Sequence, residues 1–320
     1  MKEKKIVFII PYFGKFNNYF QFFLQSCSKN NGCDWLIFTD DKRGFEYPQN
    51  VKVVYTDFEK IKESFQKKFD FTISLERPHK LCDYKVAYGY LFEDYLVGYD
   101  MWGYCDTDVI WGNISHFLSD DIVQQYDKIG VLGHCTLYKN SYEINRAFMR
   151  PLNNHERYKQ VYSEEWDHCF DEEFRESINN IFVEAGYRIY ENIPLANIYT
   201  KSSNFRLTNL VNRDKYIIED KQKAFFLWDN GCLYRYKLIN NNLHREEYMY
   251  IHMQARKMEV HIKYPSLQFK IIPNAFDNLE CNSVDEANFS KVRLKYFNMH
   301  YFKLRLKNLM IKLKRNMLNC

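Results

Sequence analysis

The sequence predicts an α/β fold: a mostly parallel central sheet with flanking helices, followed by a basic helical tail. Three observations predict it. Apolar runs of strand length alternate with amphipathic stretches through the first third of the chain, the pattern of βαβ units. Each of those runs ends at Pro, Thr-Asp or Asp, the punctuation of loops at strand ends. Beyond Glu286 the chain carries many Lys and Arg but neither Asp nor Glu.

In order, Lys5–Ile10 is an apolar run stopped by Pro11 and Gly14, which reads as a buried first strand. Asn18–Cys27 carries Phe20, Phe23, Leu24 and Cys27 on one helical face. Trp35–Thr39 is a second strand ending in Asp40 and Asp41, and Val51–Tyr55 is a third. Asp57 to Phe69 is helical, and Pro78 opens a further segment with Leu81, Lys85, Tyr88 and Leu91 at helical spacing. Tyr99–Cys105 is a fourth strand running into Asp106-Thr107-Asp108. From Asn140 the pattern reads as helical and polar, with Glu164–Glu184 its clearest helix. Tyr187–Tyr199 and Asn230–Leu238 read as strands and loops. In doubly wound sheets ligands sit beyond the carboxyl ends of the strands. Pro11–Gly14, Asp40–Asp41 and Asp106–Asp108 fall at such ends and are expected to converge on one crevice.

Composition narrows the function. Hydrophobic residues make up 46% and charged residues 27%, an ordinary globular balance. The net charge of +4 is modest and its positive excess is confined to the tail, which argues against a nucleic-acid footprint. Aromatics reach 18%; most are expected in the core, with some serving as platforms for a sugar or a base. The nine cysteines form no C-x-x-C pair and read as reduced thiols. Lys2, Lys4 and Lys5 precede a short apolar run that Pro11 interrupts, and no stretch approaches the ~20 apolar residues of a spanning helix. A cytoplasmic location is the expectation. No G-x-S-x-G, H-E-x-x-H, P-loop or G-x-G-x-x-G pattern is present, which argues against hydrolase, zincin, NTPase and dinucleotide chemistry.

The sharpest motif is Trp102-Gly-Tyr-Cys-Asp106-Thr-Asp108-Val-Ile-Trp111. Two carboxylates spaced i, i+2 after an apolar strand suit Mg²⁺ or Mn²⁺. Such an ion bridges the diphosphate of a nucleotide and offsets charge on the leaving group. This stretch resembles the D-x-D motif of GT-A fold glycosyltransferases. The chain as a whole resembles bacterial capsular and surface-polysaccharide glycosyltransferases. The matching segments are Ile6-Val-Phe-Ile-Ile-Pro-Tyr-Phe-Gly14, Phe38-Thr-Asp-Asp41, Pro78-His-Lys-Leu-Cys-Asp-Tyr-Lys85, Tyr104-Cys-Asp-Thr-Asp108 and Tyr250-Ile-His-Met-Gln-Ala-Arg-Lys257.

The resemblance implies a Rossmann-like GT-A domain over residues 1–285, its nucleotide-sugar half about 1–135 and its acceptor half about 136–285. It implies transfer from a nucleotide-sugar, expected to be UDP-linked, to a glycan or lipid-linked oligosaccharide. It assigns Asp106, Asp108 and His252 to the metal. Pro11, Tyr12, Asp40, Lys80, Asp83, Asp106, Thr107 and Lys257 are assigned to the nucleotide-sugar, with Lys85 beside them and Arg256 next to Lys257. Asp171 and Glu172 become the acceptor-side acids, one of which would act as general base. A sugar-phosphate transferase with the same carboxylates and a non-catalytic carbohydrate-binding protein remain the alternatives.

Residues 286–320 form the basic tail. Phe302, Leu306, Leu309, Met310, Leu313 and Met317 follow helical spacing, with Lys303, Arg305, Lys307, Lys312, Lys314 and Arg315 around them. Such a helix suits an anionic membrane surface, which predicts a peripheral position on the inner face of the cell membrane. The rival expectation is that the stripe docks on the protein itself.

Overall fold

The structure, a computed structural model, describes residues 5–172, 174–202 and 204–294, and the single positions 299, 302, 303, 306, 309 and 310. Two compact units interleave along the chain. The first comprises Met1–Thr107, Ile114–Ile193 and Asn212–Asp214; the second comprises Asp108–Asn113, Pro194–Val211 and Lys215–Cys320.

The chain runs through β1 (Ile6–Tyr12), β2 (Cys33–Thr39), β3 (Val51–Tyr55) and β4 (Met101–Cys105). Next comes β5 (Val109–Trp111), which belongs to the second unit, then β6 (Lys128–Leu132), β7 (Cys135–Lys139) and β8 (Ile189–Tyr190). The sheet of the first unit has the order β3-β2-β1-β4-β7-β6-β8. β1 pairs in parallel with β2 and with β4, whereas β7 runs antiparallel to both β4 and β6. The expected α/β sheet is therefore present as a mixed one. Strand order reverses at β1: β2 and β3 extend one way, β4 the other. That is the switch point beside which open α/β sheets bind ligands.

The helices follow their apolar faces. α1 (Phe20–Cys27) buries nearly its whole length, and α2 (Phe58–Gln66) buries Ile61 and Phe65. Pro78–Leu91 is not one helix but a series of single turns: Pro78–Lys80, α3 (Leu81–Tyr84), Lys85–Ala87 and α4 (Tyr88–Leu91). A Cβ on Gly89 would lie 2.3 Å from the Trp102 ring, so glycine lets α4 close on β4. Trp102 in turn stacks on Tyr138 at 4.5 Å between ring centroids. The expected Glu164–Glu184 helix forms only at its C-terminal end. Helices span Arg157–Ser163 and Ile178–Glu184, and the described residues between them form a loop held by tertiary contacts described below.

The second unit is β-rich: strands lie within the expected Tyr187–Tyr199 and Asn230–Leu238 segments, but the helical pattern expected from Asn140 does not continue through it. Its remaining strands are β9 (Leu195–Asn197), β10 (Thr208–Val211), β11 (Lys215–Ile218), β12 (Ala224–Asp229), β13 (Cys232–Ile239), β14 (Asn242–Tyr248), β15 (Tyr250–His252), β16 (Glu259–Val260), β17 (Gln268–Ile272) and β18 (Ala275–Asp277). They form a six-stranded sheet β14-β13-β12-β17-β18-β16, a ribbon β10-β11 and a small sheet β5-β15-β9. Phe225, Leu227, Ile272, Phe289 and Val292 fill one face of the large sheet. The Trp228 indole N–H donates to the Trp111 carbonyl at 2.9 Å, tying β12 to β5.

Of the tail, Phe302, Leu306, Leu309 and Met310 are exposed, and Leu313 and Met317 lie outside the described residues. Among the described residues no helix is long and apolar enough to cross a membrane.

Candidate active site

In the first unit the site begins where β4 ends. Met101–Cys105 is buried throughout, and the Asp106 N–H continues the ladder by donating to the His134 carbonyl at 3.0 Å. This fixes the backbone from which the Asp106 carboxylate projects. Lys85 Nζ donates to Asp106 Oδ1 at 2.8 Å and to the Gly133 carbonyl at 2.7 Å, and lies 3.5 Å from Asp171 Oδ2. The Gly133 N–H donates to Glu172 Oε2 at 3.2 Å. A Cβ at Gly133 would fall 2.6 Å from Asp171 Oδ2 and 2.9 Å from Glu172 Oε2, so only glycine allows both acids to close on this turn.

The electrostatics follow from one ammonium facing several acids. Burial pushes the Asp171 carboxyl up to about 7; Lys85 opposes this, and Glu172 and Asp106 add to it. Burial alone would lower Lys85, but Asp106 and Asp171 outweigh it and hold the ammonium well above its usual range. Asp171 is thus a carboxyl that exchanges a proton near neutrality, the property a general acid or base needs.

Lys80 and Asp83, expected to meet the nucleotide, are occupied elsewhere. Their side chains are 1% and 0% exposed. Lys80 Nζ donates to Asp83 Oδ2 at 2.9 Å, to the Val161 carbonyl at 3.0 Å and to the Trp166 carbonyl at 2.5 Å. An ammonium has three donors, and all three are used. Asp83 accepts the N–H groups of His168 at 3.0 Å and Phe170 at 3.1 Å. The pair shares one face of the turn, as its i, i+3 spacing requires, but that face is internal. It closes the turn onto the 161–170 segment.

Pro11 and Tyr12 close β1 and are half-buried, and Asp40, in the loop after β2, is exposed. Asp40 Oδ1 accepts the Gly14 N–H at 2.7 Å, and Tyr12 stacks on Phe16 at 4.6 Å. Asp41 is instead committed to Arg43 and the Phe16 N–H, and the Arg43 bond holds its carboxyl down at about 2. Thr107 is buried and its carbonyl accepts from Asn17 Nδ2 at 3.2 Å.

In the second unit, Asp108 enters β5 and His252 ends β15. Antiparallel pairing sets His252 opposite Val109, and parallel pairing sets it beside Asn197 of β9. His252 Nε2 lies 3.4 Å from Asp108 Oδ1, and Nδ1 lies 3.1 Å from Asn197 Oδ1. A proton on Nδ1 shared with Asn197 leaves Nε2 as the ligand atom, the usual outer-shell orientation of a metal-binding histidine. The Ala255 N–H donates to the other Asp108 oxygen. Burial would raise the Asp108 carboxyl, but His252 and that N–H hold it below its usual range.

Arg256 turns inward: it is buried, donates to the carbonyls of Pro273 at 2.7 Å and Ser202, and is lowered to about 10 by burial. Lys257, the neighbouring residue expected to meet the phosphates, is exposed. Only Thr107 separates Asp106 from Asp108, so the chain itself keeps the two carboxylates close. The set Asp106, Asp108 and His252 is compatible with a divalent cation.

Sequence reasoning named Asp106, Asp108, His252, Asp171 and Glu172 as candidates, but not Gly133 or Asn197, which touch them. Gly133 sits in a turn whose acids come from residues 171 and 172, a contact no local pattern announces. Asn197 lies on a three-residue strand too short for a periodicity signal.

A solved structure of the galactosyltransferase LgtC, in complex with donor and acceptor sugar analogs, is similar over 61% of this chain and 75% of that one, with 12% identity and a TM-score of 0.34. No curated protein matches the chain. Residues 8–280 match the model of DUF6625, a family of unknown function, and the chain belongs to that family.

Proposed function

We propose that this chain is a metal-dependent glycosyltransferase of the GT-A type. It would move a sugar from a nucleotide-sugar, UDP-linked in our reading, to a glycan or lipid-linked oligosaccharide of a surface polysaccharide. The observation that carries the reading is the Asp106-Thr107-Asp108 junction at the carboxyl end of β4, beside a switch point. There Asp106 is held by Lys85, and Asp108 faces His252.

Bound there, Mn²⁺ or Mg²⁺ would supply positive charge for a departing diphosphate. Asp106, Asp108 and His252 would be its ligands. Asn197 orients the imidazole, and the Ala255 N–H orients Asp108. Lys85 holds Asp106 in place and keeps Asp171 from being permanently protonated. Asp171, with a proton exchangeable near neutrality, would accept the proton of the acceptor hydroxyl. Glu172, turned toward the Gly133 N–H, would hold the turn beside it. Lys257 would meet the diphosphate, and Pro11, Tyr12 and Asp40 would meet the nucleoside. The exposed apolar residues of the tail support placing the protein against an anionic membrane.

The test is a panel of nucleotide-sugars with Mn²⁺, read by release of nucleoside diphosphate. One donor should be turned over, EDTA should stop it, and Mn²⁺ should restore it. Asp108→Asn should lower turnover by at least about 100-fold, more than the loss typical of outer-shell changes. Turnover that ignores both EDTA and Asp108→Asn would sink the reading.

A further inference from the structure

Glu164-Glu165-Trp166-Asp167-His168 is the loop that replaces the expected helix, and it is anchored on both sides of its tryptophan. Lys80 takes the Trp166 carbonyl, and Asp83 takes the His168 N–H. Arg77 donates to the Glu165 carbonyl at 3.2 Å and to both Asp167 carboxylate oxygens, at 3.1 and 3.3 Å. His79 Nδ1 lies 3.1 Å from Asp167 Oδ2. The backbone around Trp166 is thus fixed, partly by a buried ion pair, which is costly to desolvate.

Trp166 is nevertheless 61% exposed, whereas Trp35, Trp102, Trp111 and Trp228 are all 0% exposed. A rigid backbone beneath an exposed apolar ring lowers the ordering cost of binding, because that order exists before the ligand arrives. The chemistry around the ring selects the ligand. A flat aromatic face matches the C–H face of a pyranose, and the His168 ring, 6.1 Å away between centroids, with the carboxylates of the flanking residues, matches hydroxyls. Glu164, Glu165 and Asp167 disfavour a phosphorylated ligand, which separates a neutral sugar from a nucleotide base. The same Asp83 that holds His168 also holds Phe170, the residue before Asp171.

We infer that Trp166 is a stacking platform for a neutral pyranose, and that this sugar belongs to the acceptor glycan. The word acceptor rests on the transferase reading; the platform does not.

The full chain is tested on an array of neutral mono- to tetrasaccharides, without nucleotide or metal. The best glycan is then titrated while acrylamide quenches tryptophan emission. With the other four tryptophans buried, quenching reports Trp166. Glycan should protect the emission. Trp166→Ala should weaken binding by about tenfold and Trp166→Phe should restore most of it, in proportion to the stacking area. Unchanged far-ultraviolet circular dichroism would show that the fold survives. No glycan that protects Trp166, equal binding by Trp166→Ala, or equal protection by uridine diphosphate alone would overturn the platform. Protection by anionic lipid vesicles and not by sugar would overturn it too, in favour of a membrane contact. A wild-type protein that binds glycan through Trp166 yet turns over no nucleotide-sugar would remove the transferase reading and leave the platform standing.

Discussion

Two lysines five residues apart, Lys80 and Lys85, stand on the same run of short turns and do opposite work. Lys80 meets one carboxylate and two carbonyls, and its partner Asp83 spends itself on backbone N–H groups. That arrangement is neutral and closed. Lys85 meets two carboxylates and one carbonyl, with Glu172 nearby. That arrangement carries excess negative charge, which suits a cation and adds to the burial that lifts Asp171 to about 7. The difference is one of charge balance and partner type. A charge matched one to one and completed by backbone is scaffold; a charge outnumbered by acids is chemistry.

The comparison breaks most easily at Lys80. Lys80→Met leaves Asp83 charged and buried, which should cost about 3–5 kcal/mol in urea unfolding. Adding Asp83→Leu should recover only part of this, because the His168 and Phe170 N–H groups then lose their acceptor. A loss under about 1 kcal/mol in the single variant would mean that the pair is solvated and available to ligands after all.

A third lysine sharpens the contrast. Lys128 is fully buried and donates to the Gly130 carbonyl and to Asn179 Oδ1 at 2.7 Å, both neutral partners. Burial pulls it down to about 7. Its folded-state value thus lies below the ~10.4 of an unfolded lysine. Between those values the unfolded chain binds more protons, so stability rises with pH. From pH 7 to pH 9 the wild type should gain about 2 kcal/mol that Lys128→Met does not gain. Urea unfolding of both proteins at the two pH values measures the difference; parallel pH dependences would contradict a neutral Lys128.

These residues also mark how far the sequence could be read. β1, β2 and β4 were legible because buried strands are continuous apolar runs, and Asp106 and Asp108 were legible because they end one. The internal use of Lys80 and Asp83 was not, since i, i+3 spacing fixes a shared face without saying what that face meets. The Glu164–Glu184 segment has helical composition, but Lys80, Asp83 and Arg77 bind its backbone in a loop, and tertiary contacts override weak propensity. The second unit misled for a different reason. β14 is polar along most of its length, so it lacks the alternation that announces a half-buried strand.

The smallest expected effect is at Lys85, and it separates a charge device from a pillar. Lys85→Met leaves Asp106 and Asp171 without their ammonium. Lys85 is the influence that lowers Asp171, so its removal drives the Asp171 carboxyl above 7. At pH 6 Asp171 then simply keeps its proton, and the loss is that of a few hydrogen bonds, about 1 kcal/mol. A carboxyl whose folded value is raised contributes stability that is full below its unfolded value and lost as pH climbs toward the folded one. In the variant that window extends further upward, so its deficit against wild type should grow between pH 7 and pH 8, by no more than about 1.4 kcal/mol per unit. Adding Asp171→Asn should abolish the growth. Urea unfolding at pH 6 and pH 8 reads both. A deficit at pH 6 as large as that of Lys80→Met would make Lys85 scaffold too, and the distinction between the two lysines would fall.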